Sequence, residues 1–165
     1  RLTNEQFKGA DKIPVTVVLD DVRSALNVGS VFRTADAFAI EKIILCGITA
    51  TPPNREINKT AIGATESVDW EYASDVAPAI DKLRSDGYNI VAVEQTSHSQ
   101  TFGPYIPAKG KTAVIFGNEV EGVSESVILM ADVCVDIPQF GTKHSLNVSV
   151  CAGIVLWEMR KIYGI

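Results

Sequence analysis

No apolar run among the 165 residues reaches the roughly 18 that a membrane-crossing helix needs. No secretory signal opens the chain, which starts at Arg1. Cysteine is scarce: Cys46, Cys134 and Cys151 are odd in number and far apart. They lack the paired spacing of a zinc site or a disulfide framework, so free buried thiols in a reducing cytoplasm are expected. His98 and His144 have no cysteine or carboxylate at ligand spacing, which excludes a metal site at this level. Positive charge is in deficit as well. A net charge of −5 and a pI of about 5.0 exclude a general nucleic-acid coat, since non-specific phosphate binding needs local positive charge. A local patch stays open, because Arg23, Arg33, Arg55, Lys59, Lys109, Lys111, Lys143 and His144 fall mostly in loops or helix starts. No repeat, low-complexity tract or linker divides the chain. With 46% hydrophobic residues it reads as one domain over 1–165, residues 1–12 forming a short helix or arm.

What is present is an alternation of strands and helices. Val15 to Leu19 is a continuous β-branched run, the pattern of a strand covered on both faces. Further strands are expected at 41–46, 68–72, 89–93, 113–116 and 133–135. Helices are expected at about 28–38, 55–62, 76–86 and 124–130. A polar segment with Gly103, Pro104 and Pro107 separates the fourth strand from the fifth. The sum is an α/β domain with a mainly parallel, six-stranded sheet flanked by helices. Ligands of such sheets bind beyond the strands' C-terminal ends. The polar clusters 20–27, 94–98, 117–122 and 139–147 all fall there.

The last quarter carries a long helix from about Ser145, with Ser145 as its cap and Asn147 in the first turn. Leu146, Val150, Ile154, Trp157 and Ile162 recur at helical spacing, while Val148, Cys151, Val155, Leu156 and Met159 fill much of the opposite side. A helix apolar nearly all round is buried on two sides, against its own sheet and a second subunit or as a central core helix. Gly153, in mid-helix, points to close backbone approach.

Three constellations carry chemistry. In the first, residues 27–34 (NVGSVFRT), Gly29 permits a tight turn into the helix and Asn27 can cap it. Arg33 is either a surface arginine paired to Asp36 or Asp20, or a guanidinium at the sheet's ligand edge suited to phosphate. In the second, residues 116–122 (FGNEVEG), two glycines flank a polar turn at a strand end, so that backbone amides can approach a ligand. It is neither the dinucleotide fingerprint nor a P-loop, and Glu119 reads equally well as solvated. In the third, the loop 137–147, Ser145 and Asn147 read equally as helix-cap residues, and Lys143 and His144 read as solvated.

Together, N-x-G-S-x-x-R-T, F-G-N-E-x-x-G and I-P-x-x-G-x-x-x-S-L-N-V-S-V, in this order, resemble the SpoU/TrmH branch of the SPOUT RNA methyltransferases. The resemblance covers Val15 to Lys161. It implies transfer of a methyl group from S-adenosyl-L-methionine to a ribose 2′-hydroxyl of tRNA or rRNA, in the cytoplasm. It also implies a homodimer through the C-terminal helix and a C-terminal trefoil knot, with no membrane or DNA partner. Carried over by position, it implies a catalytic set of Asn27, Arg33, Glu119, Ser145 and Asn147. The cofactor set would be Glu94, Gln95, Thr96, Gly117, Asn118, Gly122, Ile137, Pro138 and Leu146. Asn27 and Glu119 would hold Arg33, and a separate RNA-binding domain is not expected. Two other readings stand beside this one: a non-catalytic RNA-binding or assembly protein on the same fold, and a nucleotide-binding flavodoxin-like or NAD-dependent α/β protein. The complete polar set weighs against the first, and the missing phosphate fingerprint against the second.

Overall fold

The computed structural model describes residues 1–102, 105 and 110–165; the expectations for Gly103, Pro104, Pro107 and Lys109 lie outside them. The strands are β1 (Ile13–Asp20), β2 (Ile40–Cys46), β3 (Asp69–Ala73), β4 (Tyr88–Val93), β5 (Gln100–Thr101), β6 (Lys111–Phe116) and β7 (Val133–Asp136). They form one sheet in the order β3-β2-β1-β6-β4-β7-β5, parallel at every pairing. Among the described residues the sheet therefore has seven strands, not six. The extra one, β5, is two exposed polar residues with no apolar alternation to mark it. Backbone pairing to Val135 and Asp136 makes it a strand.

The helices are α1 (Asn4–Gly9), α2 (Ala25–Ala37), α3 (Arg55–Ala61), α4 (Ala64–Ser67), α5 (Val76–Ser85), α6 (Glu125–Met130) and α7 (Val148–Tyr163). The period of two along each strand splits the core into two layers. Val15, Val17, Leu19, Ile43, Leu45, Val91, Val114 and Phe116 face α2, α3 and α7. Val18, Ile44, Ile90, Ala92, Ala113 and Ile115 face α5 and α6. Both faces are covered, which is why the strands read as unbroken apolar runs.

Two helix starts differ from the sequence reading. Ser24, not Asn27, caps α2: its hydroxyl accepts from the Asn27 amide at 3.3 Å. Asn27 thus lies within the first turn, and its side chain is released for other partners. Likewise Asn147, not Ser145, caps α7, its Oδ1 accepting from the amides of Ser149 (2.9 Å) and Val150 (3.3 Å).

The glycines also play other parts than expected. A Cβ on Gly29 would sit 2.2 Å from the Ile57 carbonyl oxygen, so this residue sets the α2–α3 crossing rather than a turn. Among the described residues a Cβ on Gly153 would meet nothing within 4 Å, so no close approach there explains it. On α7, Val148, Ala152, Val155, Leu156 and Met159 are buried. Val150, Ile154 and Trp157 remain 52%, 39% and 42% exposed. One face of α7 packs on the domain and the other is uncovered in the single chain.

Asp20 closes β1 in a buried position. Burial, then the charges of Asp21 and Asp75, push its pKa from 3.8 up to about 6. A carboxyl that holds its proton more tightly folded than unfolded contributes stability at low pH that is lost as pH rises through the folded value. Asp20→Asn is therefore expected to raise the melting midpoint at pH 7 by a few degrees. It should also flatten the decline in stability between about pH 4 and pH 6 relative to wild type; thermal melts across that interval check both.

Candidate functional site

Parallel strands deliver their following loops to one edge of the sheet. Here the ends of β4, β6 and β7 bring Glu94–Gln95, the turn 117–122 and the segment 136–148 around one cleft of about 280 Å³. Of the expected cofactor residues, Glu94, Gln95, Gly117, Asn118, Gly122, Ile137 and Leu146 line it; Thr96 and Pro138 do not. Thr96 instead starts a turn in which its amide donates to Ser99 Oγ at 3.1 Å, and Pro138 is exposed. Val93, Phe116, Val148 and Cys151 add apolar wall, and Val120, Glu121, Asp136, Gln139 and His144 also line it. The sequence reading did not include these nine among its site residues. The first four sit at strand ends or on α7, where they look like ordinary core.

The turn after β6 owes its shape to its two glycines. Asn118 and Gly122 exchange backbone hydrogen bonds of 3.1 and 2.8 Å, and Asn118 Oδ1 accepts from the amides of Val120 (2.8 Å) and Glu121 (3.1 Å). A Cβ on Gly117 would lie 2.3 Å from the Gly122 carbonyl carbon. Gly122 has φ +71°, and a Cβ there would strike Glu94 Oε2 at 2.1 Å. The glycines thus let the turn close on itself and on Glu94. Glu94 fixes the arrangement by accepting from the Val123 amide at 2.9 Å and the Gln95 amide at 3.0 Å.

Glu119 projects from this turn onto the start of α2. Its Oε2 accepts from the Arg23 amide at 2.8 Å, and its Oε1 from the Ser24 amide at 2.9 Å and Asn27 Nδ2 at 3.3 Å. Burial works to raise its pKa, but the backbone donors of Arg23 and Ser24, with the Asn27 side chain, outweigh it and hold the carboxylate below its ordinary 4.5. Asn27 Oδ1 in turn accepts from Asn147 Nδ2 at 3.2 Å. Glu119, Asn27 and Asn147, one from each sequence constellation, therefore form one hydrogen-bonded chain. Ser145 lies on the cleft wall, exposed.

Arg33 stands apart. It is exposed, it does not line the cleft, and among the described residues it makes no hydrogen bond or ion pair. Glu119 does not hold it, because that carboxylate is occupied by amide donors. Nor does Asp36, which accepts from the Ser67 hydroxyl. Six residues beyond Asn27, Arg33 sits about 9 Å further along the helix axis, away from the strand-end edge.

The thiols are quiet: Cys46 is buried and Cys134 and Cys151 partly so, all free. Burial, then the charge of Glu94, pushes Cys151 up to about 11, leaving it a neutral part of the cleft wall at pH 7. Among the described residues no helix is long and apolar enough to cross a membrane.

Comparison with known proteins gives a consistent picture. The SpoU rRNA Methylase family model matches residues 14–157. A 23S rRNA (guanosine-2′-O-)-methyltransferase, RlmB, of Neisseria meningitidis serogroup B is 32% identical over 148 residues, covering 90% of this chain and 58% of that protein. The AdoMet-bound rRNA methyltransferase from Sinorhizobium meliloti superposes with a TM-score of 0.85 at 28% identity, over 94% of this chain and 59% of that one. The TrmH/SpoU tRNA modifying enzyme of A. aeolicus shares the fold, with a TM-score of 0.84 at 24% identity, over 96% of this chain and 81% of that one. The chain spans about three fifths of the length of the curated relatives it matches.

Proposed function

Since the chain belongs to the SpoU rRNA Methylase family, we propose that it transfers the methyl group of S-adenosyl-L-methionine to a ribose 2′-hydroxyl of tRNA or rRNA. The observation that carries this reading is the convergence of the three sequence constellations on one cleft edge, joined through Glu119, Asn27 and Asn147.

The cleft suits the cofactor. It combines apolar wall (Val93, Phe116, Leu146, Val148) with the backbone edge of a glycine turn, a lining of the kind small-molecule sites use. Gly117, Asn118, Gly122, Ile137 and Leu146 would hold it. Bound there, the cofactor supplies an activated methyl on a sulfonium. The protein's task is then the acceptor, a weakly acidic hydroxyl that must be aligned and lose its proton. A guanidinium offers donors and no acceptor, so Arg33 is not the base in this reading. It grips the phosphate next to the target ribose and stabilises the developing alkoxide, and the proton leaves to that phosphate or to water. Asn27, Glu119 and Asn147 act on position: they lock the start of α2 to the cofactor turn and to the start of α7. Ser145 orients the ribose at the cleft wall.

An Arg33 that neither lines its own cleft nor has a partner among the described residues is suited to the cleft of a second subunit. The uncovered face of α7, Val150, Ile154 and Trp157 with Gly153 between them, supports a homodimer in which the two clefts are completed in trans. The C-terminal trefoil knot and a cytoplasmic location belong to the same reading.

Calorimetric titration with S-adenosylmethionine and S-adenosylhomocysteine tests it first. Micromolar binding of either, followed by tritium transfer from labelled cofactor into bulk tRNA or rRNA, is the expected result. No binding with or without RNA present would sink the proposal.

A further inference from the structure

Phe140 is 96% exposed, the most exposed of the large apolar residues in the described chain. A lone apolar side chain in water is unremarkable by itself; its place and its neighbours are not. Gln139 and His144 line the cleft, while Phe140 to Lys143 between them do not. The segment therefore leaves the cleft wall at Gln139, passes outward through Phe140 and returns at His144. Residues 137–157 contain no Asp or Glu but include Lys143 and His144, in a chain whose net charge is −5. An uncovered aromatic ring thus stands at the cleft mouth beside an ammonium and an imidazole, within a stretch of 21 residues free of Asp and Glu.

Resting on the methyl-transfer reading, we infer that the 139–144 loop is an RNA-contact element in which Phe140 stacks on an unpaired base next to the target nucleotide and Lys143 and His144 meet its phosphates. Reaching a ribose hydroxyl at the cleft requires that nucleotide to leave its helix, and RNA is read mainly where bases are splayed out and offered to aromatic faces. A ring already in the open takes such a base without rearrangement, whatever its identity, because every base has a stacking face. A protein partner fits the loop less well. Gln139, Gly141, Thr142, Lys143, His144 and Ser145 are all exposed, whereas the core of a protein interface is depleted of charge. The apolar surface suited to a second copy lies on α7 instead.

The test compares wild type, Phe140→Ala and Phe140→Trp in the full chain. It measures affinity for unmodified bulk tRNA and 23S rRNA transcripts, affinity for S-adenosylhomocysteine, and sedimentation mass. Phe140→Ala is expected to weaken RNA binding about tenfold, with cofactor affinity and mass unchanged. Phe140→Trp should restore binding, its emission quenched on RNA addition. Unchanged RNA affinity in Phe140→Ala overturns the inference, as does an absence of RNA binding by wild type. A fall in cofactor affinity would make Phe140 a cover for the cofactor, and a change in mass would make it a contact between subunits; either also overturns it. Methyl incorporation by wild type reports separately on the underlying reading. An active enzyme indifferent to Phe140 leaves methyl transfer standing and removes the stacking, whereas quenching without incorporation does the reverse.

Discussion

Arg33→Ala is expected to slow methyl transfer to RNA by about a hundred- to a thousandfold, the usual cost of removing a donor aimed at developing charge. Cofactor affinity should stay within about twofold, because the side chain touches no wall of the cleft. Stability should also hold to within about 0.5 kcal/mol, since an exposed arginine with no hydrogen bond or ion pair among the described residues contributes little to the fold. Single-turnover methyl incorporation at saturating RNA, set beside calorimetry with S-adenosylhomocysteine, measures the two effects apart. Equal loss of turnover and cofactor binding would show that Arg33 shapes the cofactor site, and the division of labour proposed for it would fall.

Gly117→Ala should fail in the opposite way. The added methyl would meet the Gly122 carbonyl carbon at 2.3 Å and the Val123 amide nitrogen at 2.4 Å. Both are backbone atoms, so no side chain can swing aside. Relief requires the turn to open, which breaks the Asn118–Gly122 bridge and moves Gly122 off Glu94. Overpacking of this kind costs about 1–3 kcal/mol. Here it falls on the groups that would hold the cofactor, so affinity for S-adenosylhomocysteine should drop by more than about tenfold, alongside a lower denaturant midpoint. A Gly117→Ala protein that binds the cofactor normally would mean that the turn is not the cofactor cradle. The two variants also report on each other. With each cleft completed by the neighbour's Arg33, mixing the two impaired proteins should yield hybrid dimers with one intact site and recover turnover. Service within a single chain would leave the mixture as inactive as its parts.

Much of the scaffold is legible in the sequence for a plain reason. Val15, Val17, Val18 and Leu19, or Ile43, Ile44 and Leu45, are buried on both faces of a parallel sheet, and that environment writes itself as unbroken β-branched runs. Elements held by backbone alone leave no such mark. Gln100–Thr101 pairs as a strand without burying a side chain, and Ala64–Ser67 is a single helical turn. Helix starts were misplaced by two or three residues, because Ser24 and Asn27, or Ser145 and Asn147, are equally good caps on paper. Only the geometry shows which one bends back on its own helix. The same ambiguity hid the role of Asn27: once Ser24 takes the cap, the amide is free to link Glu119 to Asn147. The partners of Glu119 were the least predictable. Two are main-chain amides 96 and 95 positions away, and backbone donors carry no residue identity for a motif to record. In the same way Arg33, proposed as a functional residue, could not be placed relative to the cleft without the helix axis.

The long sequence separations inside the site have a consequence for how the protein is made. Asn27 meets Glu119 across 92 positions and Asn147 across 120. On a growing chain, the β1–β2–β3 half can pair as it leaves the ribosome. The link among the three polar residues has to wait until Asn147 has emerged, 120 positions after Asn27. Contacts of such high order close late and slowly. The nascent domain therefore passes through a stage in which its sheet is largely built but the candidate cofactor turn is not yet joined to α2, and the activity proposed for it begins only once α7 has formed.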